Sequence, residues 1–354
     1  MKKVDYESSG VSIDNANKVK KKFEEIVSVD KFTHCKPINQ VGAFASLVEL
    51  DLKSFSNPVF VLKSEEPGSK QLLSISNDKI EWIARDLINH LVNDIIVMGA
   101  VPCAVLDTII CGKFQPDTVL RLVKEISKAC SENGCILVGG ETSEQPGVLP
   151  AGRYILQASV LGIVDKDKIV DGKKIKNGDV LIALASNGLH TNGYSLVRKL
   201  MDNTPEILDE AVDGESFLDS VLKPHFSYFT ALNKLFKSCY ESIHGMAHIT
   251  GGGLHDNLIR ILHNDGLSAD IDLSKIKIPA VFKTLRQYSG MSDGEMLQTF
   301  NNGVGLVLAA DKDAAETVIK NLTDSGVDSY IIGEVVKSAQ KGVTFKGKLN
   351  WSKS

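Results

Sequence analysis

The sequence predicts an α/β (α+β) protein of two domains. Apolar runs of strand length alternate with amphipathic stretches of helical period along the chain. At 354 residues the chain is long enough for two ordinary domains with a large buried core. The C-terminal half twice repeats a strand, a glycine-bearing turn and a helix start, each with a leading histidine, His190 and His248. We place the boundary between residues 167 and 168, giving domains 1–167 and 168–354.

Composition narrows the function classes. Apolar residues make up 43% and charged residues 24%, ordinary values for a globular chain. A formal net charge of −4 offers no broad cationic surface, so neither nucleic acid nor a membrane is an expected partner. The six cysteines, Cys35, Cys103, Cys111, Cys130, Cys135 and Cys239, form no C-x-x-C pair. Several sit in apolar runs, where a free thiol acts as a small hydrophobe. The opening Met1-Lys2-Lys3-Val4-Asp5 lacks the apolar segment of a secretion signal. No stretch approaches the roughly 20 apolar residues of a membrane span. A reduced, cytoplasmic protein is expected.

In the N-terminal half, a polar arm over residues 6–17 precedes a helix with Val19, Phe23, Ile26 and Val27 as its buried stripe. Strands are expected over 43–52 and 58–62. Residues 63–70, Lys-Ser-Glu-Glu-Pro-Gly-Ser-Lys, read as a loop. Asn77 or Asp78 then caps a helix reaching Met98, with Ile80, Ile83, Ala84, Leu87, Leu91, Ile95 and Met98 as its stripe. Asp86 and Asn93 share one side of it, with Asp94 beside them. The strand over 103–110 carries a carboxylate, Asp107, in its middle, which is costly unless a cation or several donors meet it. Pro116 and Asp117 start the next helix and Asn133-Gly134 ends it in a left-handed cap. Strand 135–138 then runs into Gly139-Gly140-Glu141. Paired glycines before an acid at a strand end suit a metal–phosphate complex. Strand 154–164 follows.

In the C-terminal half, the apolar run 180–185 reads as a buried strand and leads into Asn187-Gly188-Leu189-His190-Thr191-Asn192-Gly193. Thr191 or Asn192 caps the helix that begins there, with Tyr194, Leu196, Val197 and Leu200 on its apolar side. Free backbone N–H groups at such a helix start meet anions. An imidazole in this loop of small polar groups has no core to serve, which marks His190. Residues 201–220 read as an acidic connection and 227–240 as a helix. Ala247-His248-Ile249-Thr250-Gly251-Gly252-Gly253 opens onto a helix over 254–261, its glycines permitting close backbone approach. A strand through Ala309, a helix over 314–322 and a strand over 329–332 complete the half.

With these motifs together, the sequence resembles the aminoimidazole ribonucleotide synthetases (phosphoribosylformylglycinamidine cyclo-ligases) from about residue 6 to 333. The matching stretches are 6–11, Val92-Asn93-Asp94 with Gly99-Ala100, 138–147, the His190 turn, the Ala247 to Gly253 stretch and 299–305. The resemblance implies an N-terminal ATP-binding and dimerisation domain and a C-terminal substrate-binding domain. It implies a mixed N-terminal sheet that pairs into a barrel across a homodimer. It also implies a small ribonucleotide substrate, with ATP and Mg²⁺. By motif position Asp94 and Glu141 look like metal ligands, with Asn93 and Asp107 supporting, and Lys70 would meet the phosphates. Gly139 and Gly140 fall to the nucleotide side. His190 and His248 would face the substrate as proton carriers or donors. Asn192, Thr250, Gly251 and Gly252 would hold the ribonucleotide phosphate.

Several positions depart from the family pattern. Where the family reads Thr-Asp-Gly-Val-Gly-Thr-Lys, this chain places Glu65 for the aspartate, Glu66 for a glycine and Pro67 for a valine. Ile155 replaces an aspartate, Ala158 a glycine and Gln298 an arginine. One reading keeps an active cyclo-ligase with Glu65 as a metal ligand. A second is a non-catalytic or regulatory relative that binds a ribonucleotide without ATP chemistry. A third is another ATP-dependent enzyme of the superfamily.

Overall fold

The structure is a computed structural model that describes Ile26, residues 34–39 and residues 43–352. The polar arm, most of the first expected helix and the 6–11 stretch lie outside the described residues. The chain divides into two compact units. One comprises residues 1–95 and 100–167, the other residues 96–99 and 168–354.

In the first unit β1 (Cys35–Pro37) pairs antiparallel with β2 (Val48–Leu50). Strand β2 is shorter than the expected 43–52, because residues 43–45 form a bend. Strands β3 (Pro58–Glu65), β4 (Val101–Cys111), β5 (Ile136–Glu144) and β6 (Tyr154–Asp165) build a four-stranded sheet in the order β3-β6-β4-β5. Strands β4 and β5 run parallel and the other pairs antiparallel, so the sheet is mixed. Its helices are α1 (Lys70–Ser76), α2 (Ile80–Ile96) and α3 (Pro116–Glu132).

Pro116 begins α3, where its missing N–H costs nothing, and Gly134 follows in the left-handed region at φ 69°. The stripe of α2 is buried as its period requires. Met98 lies past the helix end and is exposed, so it does not belong to that stripe.

The expected loop 63–70 is largely regular. Strand β3 continues through Glu65 and Lys70 opens α1, leaving a short turn around Pro67 and Gly68. Charge pointed to a loop here, whereas β6 pairs with the whole of β3, and Lys63 and Glu65, on its half-buried face, neutralise one another. Gly139, Gly140 and Glu141 also lie inside β5 rather than beyond its end.

The second unit contains β7 (Val180–Ala185), α4 (Tyr194–Asn203), β8 (Ala211–Val212), β9 (Glu215–Ser216), α5 (Phe217–Leu222), α6 (Phe229–Cys239), β10 (Ile243–His248) and α7 (Gly253–Ile261). It continues with β11 (Leu267–Asp272), α8 (Ala280–Ser289), α9 (Asp293–Thr299), β12 (Val304–Ala310), α10 (Ala315–Asp324), β13 (Ser329–Lys337) and β14 (Gly342–Lys346). Six strands form one sheet in the order β10-β12-β7-β13-β11-β14, antiparallel except for β11 with β14. Strands β7 and β12 each lie between two other strands and are buried almost throughout, which their uninterrupted apolar runs require.

The supposed connection 201–220 is built up instead. It carries the small β8–β9 hairpin and α5, anchored by fully buried Ile207 and Phe217. The cap of α4 is Gly193 at φ 81°, not Thr191 or Asn192.

Candidate active site

In the first unit the site follows from two periodicities. Alternation along β3 puts Lys63 and Glu65 on one face of the sheet. Helical spacing puts His90 and Asp94 of α2 one turn apart on the side that meets them. The Lys63 ammonium bridges the two acids, 2.9 Å from Glu65 Oε2 and 3.0 Å from Asp94 Oδ2. His90 Nε2 stands 3.7 Å from the same Glu65 oxygen and 3.9 Å from the same Asp94 oxygen. Partial burial alone would lower the Lys63 pKa, but Asp94 and Glu65 outweigh it and the net shift is upward. Neither Lys63 nor His90 was singled out from sequence. The spacing of His90 before Asn93 and Asp94 is the signal that would have found it.

Lys70 is placed differently from its expected role at the phosphates. It is fully buried, with its ammonium donating to Asp86 Oδ1 at 2.7 Å. Burial pulls the Lys70 pKa down while Asp86 opposes the shift, and the downward direction prevails. Asp86 and Asn93 are likewise buried, so this side of α2 is no solvated polar face.

Asp107 lies on the same sheet face as Glu65: both pair with Ala158 of β6, one from each side. Two strand spacings put their Cα atoms about 10 Å apart. Burial pushes the Asp107 carboxyl up to about 7. Gly140 is its register partner on β5, and a Cβ there would fall 1.7 Å from Asp107 Oδ1. Glu141 pairs with Thr108 and therefore stands on the opposite, open face of the sheet. Of the four proposed metal ligands, the structure brings Glu65 and Asp94 together. Asp107 shares their face at a distance and Glu141 does not share it. The Glu65–Asp94 pair supplies hard oxygens that already converge on a cation, so these residues fit Mg²⁺. A cavity of about 980 Å³ lies mainly over the opposite face of the sheet, lined by Leu62, Ser64, Leu106, Thr108, Gly139 and Glu141, and neither Glu65 nor Asp94 lines it.

In the second unit three imidazoles gather. His190 follows β7 in a turn at φ 61°, a left-handed conformation in which histidine is enriched among non-glycine residues. His248 ends β10 and His225 lies between α5 and α6. All three are buried, and their ring nitrogens come within 4.8 Å of one another. His225 Nε2 and His248 Nε2 are 3.0 Å apart, which requires a proton on one and a lone pair on the other. Thr191 Oγ1 lies 3.4 Å from His225 Nδ1.

His190 therefore does serve a core, against the expectation from its small polar neighbours. It stacks on His225 with ring centroids 4.0 Å apart, and a Cβ on Gly305 would lie 2.7 Å from its Cε1. The His190 and His225 planes are only 22° apart. Their in-plane lone pairs run side by side rather than toward one point, which disfavours a shared metal ion. A proton store is the chemistry this arrangement suits.

The two glycine turns of this unit meet. Asn192 Oδ1 would lie 3.4 Å from a Cβ on Gly251. The second turn is tied by Asn257, whose amide donates to the carbonyls of Thr250 at 3.4 Å, Gly251 at 3.2 Å and Gly253 at 2.8 Å. Gly252 caps α7 at φ 86°. His225 and Asn257 were missed from sequence, since the stretches around them show only ordinary helix-boundary signals.

Two mixed α/β units, one with an acid-and-lysine site and one with a histidine-and-glycine site, define the AIR synthase class of two-domain proteins. The family models for AIR synthase related protein match accordingly, the N-terminal domain over residues 59–164 and the C-terminal domain over residues 176–346. The phosphoribosylformylglycinamidine cyclo-ligase of Clostridium perfringens is 38% identical over 96% of this chain and 99% of its own. That of Bacillus thuringiensis subsp. konkukian is 40% identical over 87% and 88%. The chain belongs to the phosphoribosylformylglycinamidine cyclo-ligase family. Its fold is also that of the hydrogenase maturation protein HypE solved in complex with ATP, with a TM-score of 0.62 at 18% identity over 86% of each chain.

Proposed function

We propose that this chain is an ATP-dependent cyclo-ligase that converts formylglycinamidine ribonucleotide to aminoimidazole ribonucleotide in purine biosynthesis. The near-full-length kinship with cyclo-ligases carries this reading, and the buried histidine cluster agrees with it. The formyl oxygen attacks the γ-phosphorus of ATP and the bond to ADP breaks, which makes that oxygen a leaving group. The amidine nitrogen then forms the new C–N bond, phosphate departs with the oxygen and a proton is lost. Phosphoryl transfer asks mainly for positioning and charge neutralisation.

Mg²⁺, held by Glu65 and Asp94, would neutralise charge on the phosphates. Asp107 and Asn93 support that side, with Asp107 seated in the space that Gly140 leaves. Lys63, part-exposed beside the carboxylates, is better placed to meet phosphate than the fully buried Lys70. His190 and His248, linked through His225, take up the proton released on ring closure. Asn192, Thr250, Gly251 and Gly252 hold the ribonucleotide phosphate at the start of α7. The protein works in the cytoplasm as a homodimer. Six free cysteines suit a reducing compartment, and no helix among the described residues is long and apolar enough to cross a membrane.

Turnover of formylglycinamidine ribonucleotide with Mg·ATP, read as aminoimidazole ribonucleotide formed, tests the proposal. His190→Asn and His248→Asn should each lower kcat by about 10²–10⁴. A folded wild-type protein without turnover overturns it. The burial of Lys70 against Asp86 favours the non-catalytic reading, which calorimetry separates: that reading requires ribonucleotide binding without Mg·ATP binding.

A further inference from the structure

The cation at the Glu65–Asp94 pair is the chain's own. Lys63 contacts both carboxylates at 2.9 and 3.0 Å, and all three side chains are partly exposed, at 36%, 22% and 18%. The pair carries two negative charges and Lys63 returns one. Two carboxylates brought this close repel unless a positive charge lies between them, and the ammonium lies where a hard divalent ion would. A divalent ion cannot take both oxygens while Lys63 holds them. It would meet a like charge within about 3 Å, a repulsion much larger there than in bulk water.

We propose that Lys63 is a built-in counter-ion that competes with the divalent cation for Glu65 and Asp94. In the resting protein the lysine satisfies both acids and metal affinity is held down. When nucleotide arrives, its phosphates offer the ammonium another anion. Lys63 leaves the carboxylates, and the metal delivered with the nucleotide takes its place. The flexible four-carbon stem permits that exchange, since the ammonium is a compact charge free to swing. His90, the other basic group at the pair, remains beside the same oxygens, 3.7 and 3.9 Å away. The result is a site that binds metal with nucleotide rather than before it. This inference rests on the reading of Glu65 and Asp94 as metal ligands.

The test is Mn²⁺ binding to the full chain without nucleotide, followed by electron paramagnetic resonance of the free ion. Lys63→Ala should bind Mn²⁺ about tenfold more tightly than wild type, or better, because a like charge has been removed from beside the ion. Lys63→Arg keeps the cation and should bind as weakly as wild type, so an effect of folding alone is told apart from an effect of charge. Adding Glu65→Gln to Lys63→Ala should abolish the gain. Equal Mn²⁺ affinity in wild type and Lys63→Ala overturns the counter-ion role. The metal reading is checked separately. If Glu65→Gln leaves the Mg²⁺ dependence of turnover unchanged, Glu65 is no ligand and both fall. If it raises the Mg²⁺ requirement while Lys63→Ala binds Mn²⁺ no better, only the counter-ion falls.

Discussion

Asp107 shows what one side chain costs and where the cost appears. Burial raises its carboxyl to about 7, well above the unfolded value near 4. A raised carboxylate binds more protons folded than unfolded between those two values. Folding stability therefore falls as pH rises from about 4 to about 7 and levels off above, where the buried charge is fully present. Asp107→Asn removes the charge and keeps the shape, so the space that Gly140 leaves for this side chain still suits it. In chelator-treated protein the variant should be more stable than wild type at pH 8, by about 4 kcal/mol as a ceiling. The difference should close toward pH 5. Denaturant titrations at both pH values check it, and a gap that widens toward low pH contradicts the assignment. This cost was legible in the sequence, because a lone acid in an apolar strand is already anomalous. The role of Lys63 was not. Its partner Asp94 sits on a different element, and only the sheet face and the helix face together put them in contact.

At the level of elements, the strongest signals in the sequence were periodic ones. Strands β7 and β12 and helices α2 and α3 are uniform in pattern, and they form where their patterns place them. The stretches that departed were governed by contacts from elsewhere in the chain. Residues 63–65 are charged enough to suggest a loop, yet β6 pairs with them along the whole strand. Residues 201–220 lack a pattern, yet Phe217 and Ile207 find a core. The three glycines before α7 permit close backbone approach, and one residue inside the helix fixes their turn. Asn257 is buried and its amide reaches three carbonyls of that turn. Asn257→Ala should leave those acceptors poorly satisfied, at about 1–3 kcal/mol of stability. It should also raise KM for the ribonucleotide more than it lowers kcat, because the turn positions rather than reacts. Asn257→Asp keeps the shape without the N–H donors and should lose nearly as much. Full stability in that variant would show that the amide donors do not hold the turn.

For the molecule as a whole, the open face of the first unit's sheet carries the remaining argument. Leu62 is 77% exposed, Phe60 53%, Leu106 46% and Ile155 37%, on three neighbouring strands. Register puts all four on one face, since Leu62 opposes Leu161, Phe60 opposes Ile163, Leu106 opposes Ser159 and Ile155 opposes Ile110. The small β1–β2 sheet packs over the Ile163 end of that face, and among the described residues nothing else in the core cluster there covers the rest. Monomeric proteins seldom leave so continuous an apolar surface to water, and under the proposed homodimer a second copy of the same face would supply the cover. Glu141 stands on this face too, so an interface here would bring a carboxylate of each protomer to the boundary. A charge placed at the centre of the face has no water in the dimer and full solvation in the monomer. Leu62→Glu and Leu106→Glu should each shift the protein from dimer to monomer in sedimentation velocity, with the far-ultraviolet circular dichroism unchanged because both side chains point away from the unit's own core. A wild-type protein that sediments as a monomer at micromolar concentration, or glutamate variants that remain dimeric, would mean that this apolar face is covered in some other way.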